Sequence, residues 1–187
     1  MAIAVEGAPV AHHAPHRGAH ARRLFILLTA LGLALTVAFS QVTTVAAGGS
    51  SSEPAKGSQA ALILRLVRQA VGHPFRMGTE GPKFFDCSGL VWSVYKRAGL
   101  VGRIGGVRGT VTRYYHWAVK HGKISRRNPQ IGDVVIWGSH GKLKHSGIYI
   151  GNGRAISALN PKLGVRNHKL GFVGFRIWGF IHTGISR

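Results

Sequence analysis

Acidic side chains and cysteine are both scarce in this chain of 187 residues. Five Asp and Glu stand against 25 Lys and Arg, which gives a formal net charge of +20. A surface of this kind favours polyanionic partners such as nucleic acid, anionic membranes or acidic cell-wall polymers. The single cysteine, Cys87, excludes an intrachain disulfide and a cysteine-rich zinc site. Apolar residues make up 45% of the chain, which excludes wholesale disorder.

Long hydrophobic runs are scarce too, which excludes a transmembrane bundle. The one long run, Leu24 to Phe39, carries no charge, follows Arg22-Arg23, and is shorter than the roughly 20 residues of a membrane span. The small residues Val45-Ala46-Ala47 follow it and resemble a cleavage site. We therefore predict a secretion signal that is removed, with an uncleaved membrane anchor as the alternative.

The chain divides into three predicted parts. Residues 1–47 are the signal, residues 48–58 are a Gly/Ser linker, and residues 59–187 are one secreted or cell-wall-associated domain. Apolar residues at helical spacing predict helices over 59–71, 88–98 and 110–120, with Asp86 as the N-cap of the second. Apolar runs and turns from Asp133 onward predict an antiparallel β-meander, in which Asp133 fixes the first turn. Helices followed by such strands indicate an α+β fold.

Cys87 and His145 are the candidate reactive pair. A thiol is nucleophilic as its thiolate, and the first turn of a helix lowers a cysteine pKa, so we expect a lowered pKa at Cys87. A buried structural cysteine is the alternative. His145 opens a strand beside Ser146 and Gly147, where it can face a cleft and act as a base. It can equally be one surface histidine among the domain's others, which are His73, His116, His121, His140, His168 and His182.

Two parts of the chain carry a family resemblance. Gly72-His-Pro-Phe-Arg-Met-Gly78, followed by Phe85-Asp-Cys-Ser-Gly-Leu-Val91, resembles the opening of the NlpC/P60 cysteine peptidases. Gly132-Asp133-Val-Val-Ile-Trp137 and His145-Ser-Gly-Ile-Tyr-Ile-Gly-Asn-Gly153 resemble the second half, in the same order. The similarity covers roughly residues 60–183.

The resemblance implies a papain-like fold, with the nucleophile helix packed on a five- or six-stranded sheet. It implies Cys87 as nucleophile, His145 as base, and hydrolysis of peptidoglycan stem peptides, often between D-γ-glutamate and a diamino acid. It implies no metal and no cofactor. The partners expected are stem peptides and anionic wall polymers, without nucleic acid, and with a membrane only if the N-terminal segment is uncleaved. We expect a monomer.

The sequence departs from the family pattern at two positions. Where members carry a third polar residue, most often His, this chain has Ser157, and Asn160 and His168 are nearby substitutes. Many members have Tyr where this chain has Phe75, which cannot assist an oxyanion through a hydroxyl.

These departures keep other functions open. A catalytically weak or inactive wall-binding module is the main alternative, and a related acyltransferase or amidase could use the same Cys-His pair. A nucleic-acid-binding protein is supported by charge alone. The Gly-rich stretch from Gly102 to Gly109 is expected to form a flexible wall of the cleft.

Overall fold

The computed structural model describes Ala55 and residues 58–186. The predicted secretion signal and almost all of the predicted linker lie outside the described residues. Within the described residues, no helix is long and apolar enough to cross a membrane. Helices precede an antiparallel sheet along the chain, so the α+β expectation is confirmed.

Three helices form the first half of the described chain: α1 (Gln59–Gln69), α2 (Cys87–Arg97) and α3 (Val111–Lys120). Each begins after a short polar residue, Ser58, Asp86 or Thr110, whose side chain accepts a hydrogen bond from a backbone N–H of the first turn. Such caps satisfy donors that the helix itself leaves unpaired. The helices predicted from the sequence are therefore confirmed, with small differences at their ends.

The second half forms one antiparallel sheet. Its strands are β1 (Ile124–Ser125), β2 (Val134–Ser139), β3 (Lys142–Gly151), β4 (Arg154–Ala158), β5 (Val165–Lys169) and β6 (Arg176–Ile181). Their order in the sheet is β1-β6-β2-β3-β4-β5. A plain meander therefore describes only β2 to β5, because β6 returns to pair with β2. The edge strand β1 was not predicted, since two residues are too few to show an alternating pattern.

Asp133 explains where β6 ends. Its carboxylate accepts a hydrogen bond from the Gln130 backbone N–H at 2.9 Å, so the predicted turn role is confirmed. It also accepts one from the Thr183 backbone N–H at 3.0 Å and lies 2.8 Å from Nδ1 of His182. Because Thr183 and His182 follow β6, one buried carboxylate joins the start of β2 to the end of β6.

The two faces of the sheet have different neighbours. Alternate residues such as Val134, Ile136 and Ile148 belong to the apolar core that includes α1, α2 and α3. The residues between them belong to a smaller cluster on the other face, with Trp137 and Ala155. This two-residue alternation is the ordinary geometry of a strand buried on both sides. It decides which polar side chains of neighbouring strands can meet.

Candidate active site

Cys87 is the first residue of α2, directly after its cap Asp86. One carboxylate oxygen of Asp86 accepts hydrogen bonds from the Gly89 N–H at 2.6 Å and the Ser88 hydroxyl at 3.0 Å. The other oxygen accepts one from the Gly78 N–H at 2.7 Å. The predicted capping role of Asp86 is confirmed, and the same carboxylate holds the preceding loop against the helix that presents the thiol.

The expected lowering of the Cys87 pKa is wrong. Burial raises this pKa above its ordinary value of 9.0, and the negative charge of Asp86 adds to the rise. Polar groups of Ser146 and of the Ser88 backbone favour the thiolate and act in the opposite direction without reversing the rise. Desolvation disfavours the thiolate more than the helix terminus favours it, so the resting side chain is a neutral thiol. Ser146, which lies near the sulfur, is the residue that follows His145 in β3.

His145 and Ser157 meet across two adjacent strands. Nε2 of His145 lies 2.8 Å from Oγ of Ser157, and both side chains are at least 95% buried. Gly147 occupies β3 between them, and a Cβ there would stand 2.7 Å from Cβ of Ser157. The imidazole can therefore reach the hydroxyl because residue 147 has no side chain. This role of Gly147 was not predicted from the sequence, although its place two residues after His145 in a strand puts both on one face.

The two substitutes for Ser157 lie in different places. Asn160 caps the turn after β4, where its side-chain oxygen accepts hydrogen bonds from the N–H groups of Lys162 and Leu163, each at 3.0 Å. His168 lies in β5, with Nε2 at 2.7 Å from Oγ of Ser157. The structure therefore brings His145, Ser157 and His168 into one hydrogen-bonded row and leaves Asn160 out of it.

Both imidazoles of this row favour the neutral form. Burial lowers the pKa of His145 from 6.5 to about 4, and the charge that His168 can carry lowers it further. Burial also lowers the pKa of His168, and the charge of Arg154 acts in the same direction. Fully buried Trp137 lies under both rings, with centroid distances of 5.4 Å to His145 and 6.0 Å to His168. The indole of Trp137 occupies space beside both rings and so excludes water that would solvate an imidazolium.

The low pKa of His145 makes stability depend on pH. The unfolded chain binds a proton at His145 as pH falls through 6.5, whereas the folded chain does so only near pH 4. The contribution is therefore complete above pH 6.5 and is lost as pH falls toward 4, by about 3 kcal/mol. Urea unfolding at steps across this range measures it. The matched variant His145→Gln should lose less stability between the two pH values, and equal slopes for both proteins would contradict the prediction.

The Gly-rich stretch is anchored rather than flexible at its end. A short 3-10 helix spans Val101–Ile104. Beyond it, the Arg108 guanidinium bonds to Glu80 at 2.9 Å, to the Ser88 hydroxyl at 3.2 Å and to Asp86 at 3.5 Å. It also donates to the Gly109 carbonyl. Because partly buried charged hydrogen bonds order what they join, Arg108 fixes the end of this stretch to the start of α2.

Phe75 lies in the loop between α1 and α2. Its backbone forms an isolated bridge with Phe85, and its half-buried ring packs against the core cluster that also contacts Cys87. The ring supplies no hydrogen-bond donor. Among the described residues, no group of three or more His, Cys, Asp or Glu side chains could hold a metal ion.

The chain is similar to bacterial endopeptidases. A bifunctional muramidase/DL-endopeptidase of Bacillus subtilis is 31% identical over 126 residues, which cover 64% of this chain and 36% of that protein. A murein DD-endopeptidase of Escherichia coli is 31% identical over 106 residues, covering 55% and 36%. The chain spans 25% of the length of a probable endopeptidase p60 of Listeria grayi and 62% of a probable endopeptidase of Corynebacterium glutamicum.

A solved structure and a family profile complete the comparison. The NlpC/p60 domain of the peptidoglycan hydrolase SagA is 29% identical, with a TM-score of 0.51, covering 63% of this chain and 95% of that one. The profile described as the NlpC/P60 family matches residues 72–182, which include Cys87, His145, Ser157 and His168. Because this match covers more than half of the chain, the chain belongs to the NlpC/P60 family.

Proposed function

We propose that this protein is a cysteine endopeptidase that hydrolyses peptide bonds in peptidoglycan stem peptides. The observation that carries the proposal is the placement of Cys87. Cys87 lies at the start of α2 near Ser146 of β3, and His145, which precedes Ser146, has one ring nitrogen hydrogen-bonded to Ser157. A thiol, a base and a group that orients the base are the parts that nucleophilic catalysis by cysteine requires.

The reaction proceeds by acyl transfer. His145 takes the thiol proton as the Cys87 sulfur attacks the carbonyl carbon of the substrate, which starts from the neutral thiol and neutral imidazole that burial favours. The tetrahedral intermediate collapses when the C–N bond breaks and His145 returns the proton to the leaving amine. Water, deprotonated by His145, then hydrolyses the thioester and regenerates the thiol. No redox step and no second substrate besides water is needed.

Stabilisation of the oxyanion falls to the backbone. The N–H groups at the start of α2 are donors available beside Cys87, and Phe75 adds none. Since one oxyanion donor is worth about 10²–10³ in rate, we expect a slower enzyme than relatives that have tyrosine at this position.

The substrate class is supported by the relatives. Those compared above are named for DL- and DD-endopeptidase activity, and one structural relative is a peptidoglycan hydrolase. For this chain we propose the bond between D-γ-glutamate and the diamino acid. Peptidoglycan lies outside the membrane, which fits the predicted secretion signal in residues 1–47 and a secreted or cell-wall location of the domain in residues 59–187.

Positive charge supports retention on the wall. Residues 58–186 hold twenty Lys and Arg but only three Asp and Glu. Of those three carboxylates, Glu80 and Asp86 are paired with Arg108, and that of Asp133 contacts the His182 ring at 2.8 Å. Most of the basic side chains in this range therefore have no acidic partner within it, and anionic wall polymers can supply one. Such binding should weaken as salt screens it.

Defined muropeptides test the proposed bond. The full chain is incubated separately with a monomeric stem peptide and with a cross-linked dimer, and the products are read by mass spectrometry. We expect the monomeric stem to be cut between D-γ-glutamate and the diamino acid. If two intact stems were released from the dimer and the monomer were not cut, the bond hydrolysed would be the cross-link and not the one proposed.

The inactive wall-binding module predicts a different result. If the protein is such a module, neither substrate should give a product, and the protein should still sediment with isolated walls. Phe75 and Ser157 are the two departures that favour this alternative, so the variant Phe75→Tyr belongs in the same experiment. A gain of activity in that variant would identify the missing hydroxyl as the cause of a low rate.

A further inference from the structure

Four polar groups form an unbroken row behind the base. Nδ1 of His168 lies 2.9 Å from the Lys169 carbonyl oxygen, and Nε2 of the same ring lies 2.7 Å from Oγ of Ser157. Oγ of Ser157 lies 2.8 Å from Nε2 of His145. Ser157 is fully buried, and each of the two histidines exposes at most 5% of its surface. No solvent therefore competes strongly for these hydrogen bonds.

The direction of the row follows from its far end. A carbonyl oxygen only accepts, so Nδ1 of His168 carries the proton, and Nε2 of the neutral ring is an acceptor. The Ser157 hydroxyl has one proton, which it donates to that nitrogen. Its oxygen must then accept from His145, so the proton of His145 lies on Nε2. Nδ1 of His145 is left with its lone pair.

We propose that His168 is a positioning residue, which acts through the Ser157 hydroxyl to hold the proton of His145 on Nε2 and keep Nδ1 free to accept one. The proposal rests on the proposed function in so far as His145 is the base. It assigns to two residues, Ser157 and His168, the orienting role that a single side chain has in most triads. When His145 becomes an imidazolium during the reaction, its Nε2–H bond to Ser157 stays in place and no group in the row has to turn.

The surroundings of His168 favour the neutral ring that this direction requires. Arg154 of β4 and the imidazole of His145, through Ser157, face it from the neighbouring strands; in β5, Lys169 follows it and Arg166 lies two residues before it. Phe172 and Trp137 contact its ring, with centroids 5.8 Å and 6.0 Å away. No carboxylate is among these neighbours. A protonated His168 would donate from Nε2 to Ser157 and free the hydroxyl proton to point at His145, which reverses the row.

A double-mutant cycle in the full chain tests the proposal by activity. His168→Met removes the acceptor at the Nε2 position, and His168→Gln keeps an acceptor on a side chain of similar length. We expect kcat on the muropeptide to fall about tenfold in His168→Met with KM unchanged, because one hydrogen bond is lost in the transition state. In His168→Gln the loss should stay below about threefold. In a Ser157→Ala background, His168→Met should cause no further loss, because the two residues act as one unit.

Nitrogen NMR of the histidine rings tests the same proposal without substrate. In the wild-type protein, His145 should be the neutral tautomer with its proton on Nε2, and in His168→Met it should become a mixture of both tautomers. A wild-type proton on Nδ1 of His145, or independent losses from His168→Met and Ser157→Ala, would overturn the proposal. A protein without any hydrolytic activity would remove the proposed function and leave the NMR result to decide the role of His168. Urea unfolding of each variant separates a loss of stability from a change in tautomer.

Discussion

Replacing Cys87 by alanine should lower kcat on a muropeptide by about 10⁴-fold or more, because the covalent step has no other nucleophile to use. Cys87 is the single thiol of the chain, so no neighbouring cysteine can take its place. It is half-buried at the first residue of α2, where alanine fits without strain. The fold should therefore survive, and circular dichroism and sedimentation with isolated walls should match the wild type.

Alkylation tests independently whether activity depends on the Cys87 thiol. Because burial raises the pKa of Cys87, its reaction with iodoacetamide should be slow at neutral pH and should accelerate as pH rises. Loss of activity should follow the modified fraction one to one, since only one site can react. Hydrolysis by Cys87→Ala at more than about one-hundredth of the wild-type rate would place the nucleophile elsewhere.

Replacing Gly89 by alanine should destabilise the protein by about 2–3 kcal/mol, against the trend of helix propensity. Gly89 lies inside α2, where alanine alone would add about 1 kcal/mol of stability. Its Cβ, however, would stand 2.1 Å from the backbone carbonyl oxygen of Thr79, which accepts the Asp86 N–H. The loop that carries Phe75 must then move away from α2, and activity should fall with stability.

Gly102 provides the matched control for this prediction. It lies in the short 3-10 helix, has no positive φ, and an added Cβ there would meet no atom within 4 Å. Gly102→Ala should therefore change the free energy of unfolding by less than about 0.5 kcal/mol. Urea denaturation of both variants beside the wild type makes the comparison. A Gly89→Ala protein as stable as the wild type would mean that the loop yields at little cost.

Local signals explain why the first half of the site could be predicted from the sequence. An N-cap such as Asp86 acts on N–H groups two or three residues away, so the start of α2 and the position of Cys87 follow from neighbouring residues. The strand run that contains His145 shows the same local patterning. The family match over residues 72–182 confirms the resemblance that these two motifs carry.

Contacts between distant residues explain what the sequence did not decide. Position along the hairpin predicted Ser157 as the partner of His145, with Asn160 and His168 as substitutes, but only the register of β3, β4 and β5 showed which of them lie beside it. The clamp from Arg108 to Glu80 and Asp86 joins residues more than twenty positions apart, so no local pattern could predict it. The return of β6 to the side of β2 is of the same kind.

The sequence by itself determined the α+β class, the capped helix that presents Cys87, and the strand that carries His145, because hydrophobic period and capping are short-range properties. Only the tertiary structure decided the charge states and the partners. Burial, which depends on everything packed around a side chain, raises the pKa of Cys87 against the expectation from the helix terminus, and it lowers the pKa of His145. Strand register, set by the whole sheet, placed Ser157 and then His168 behind the imidazole.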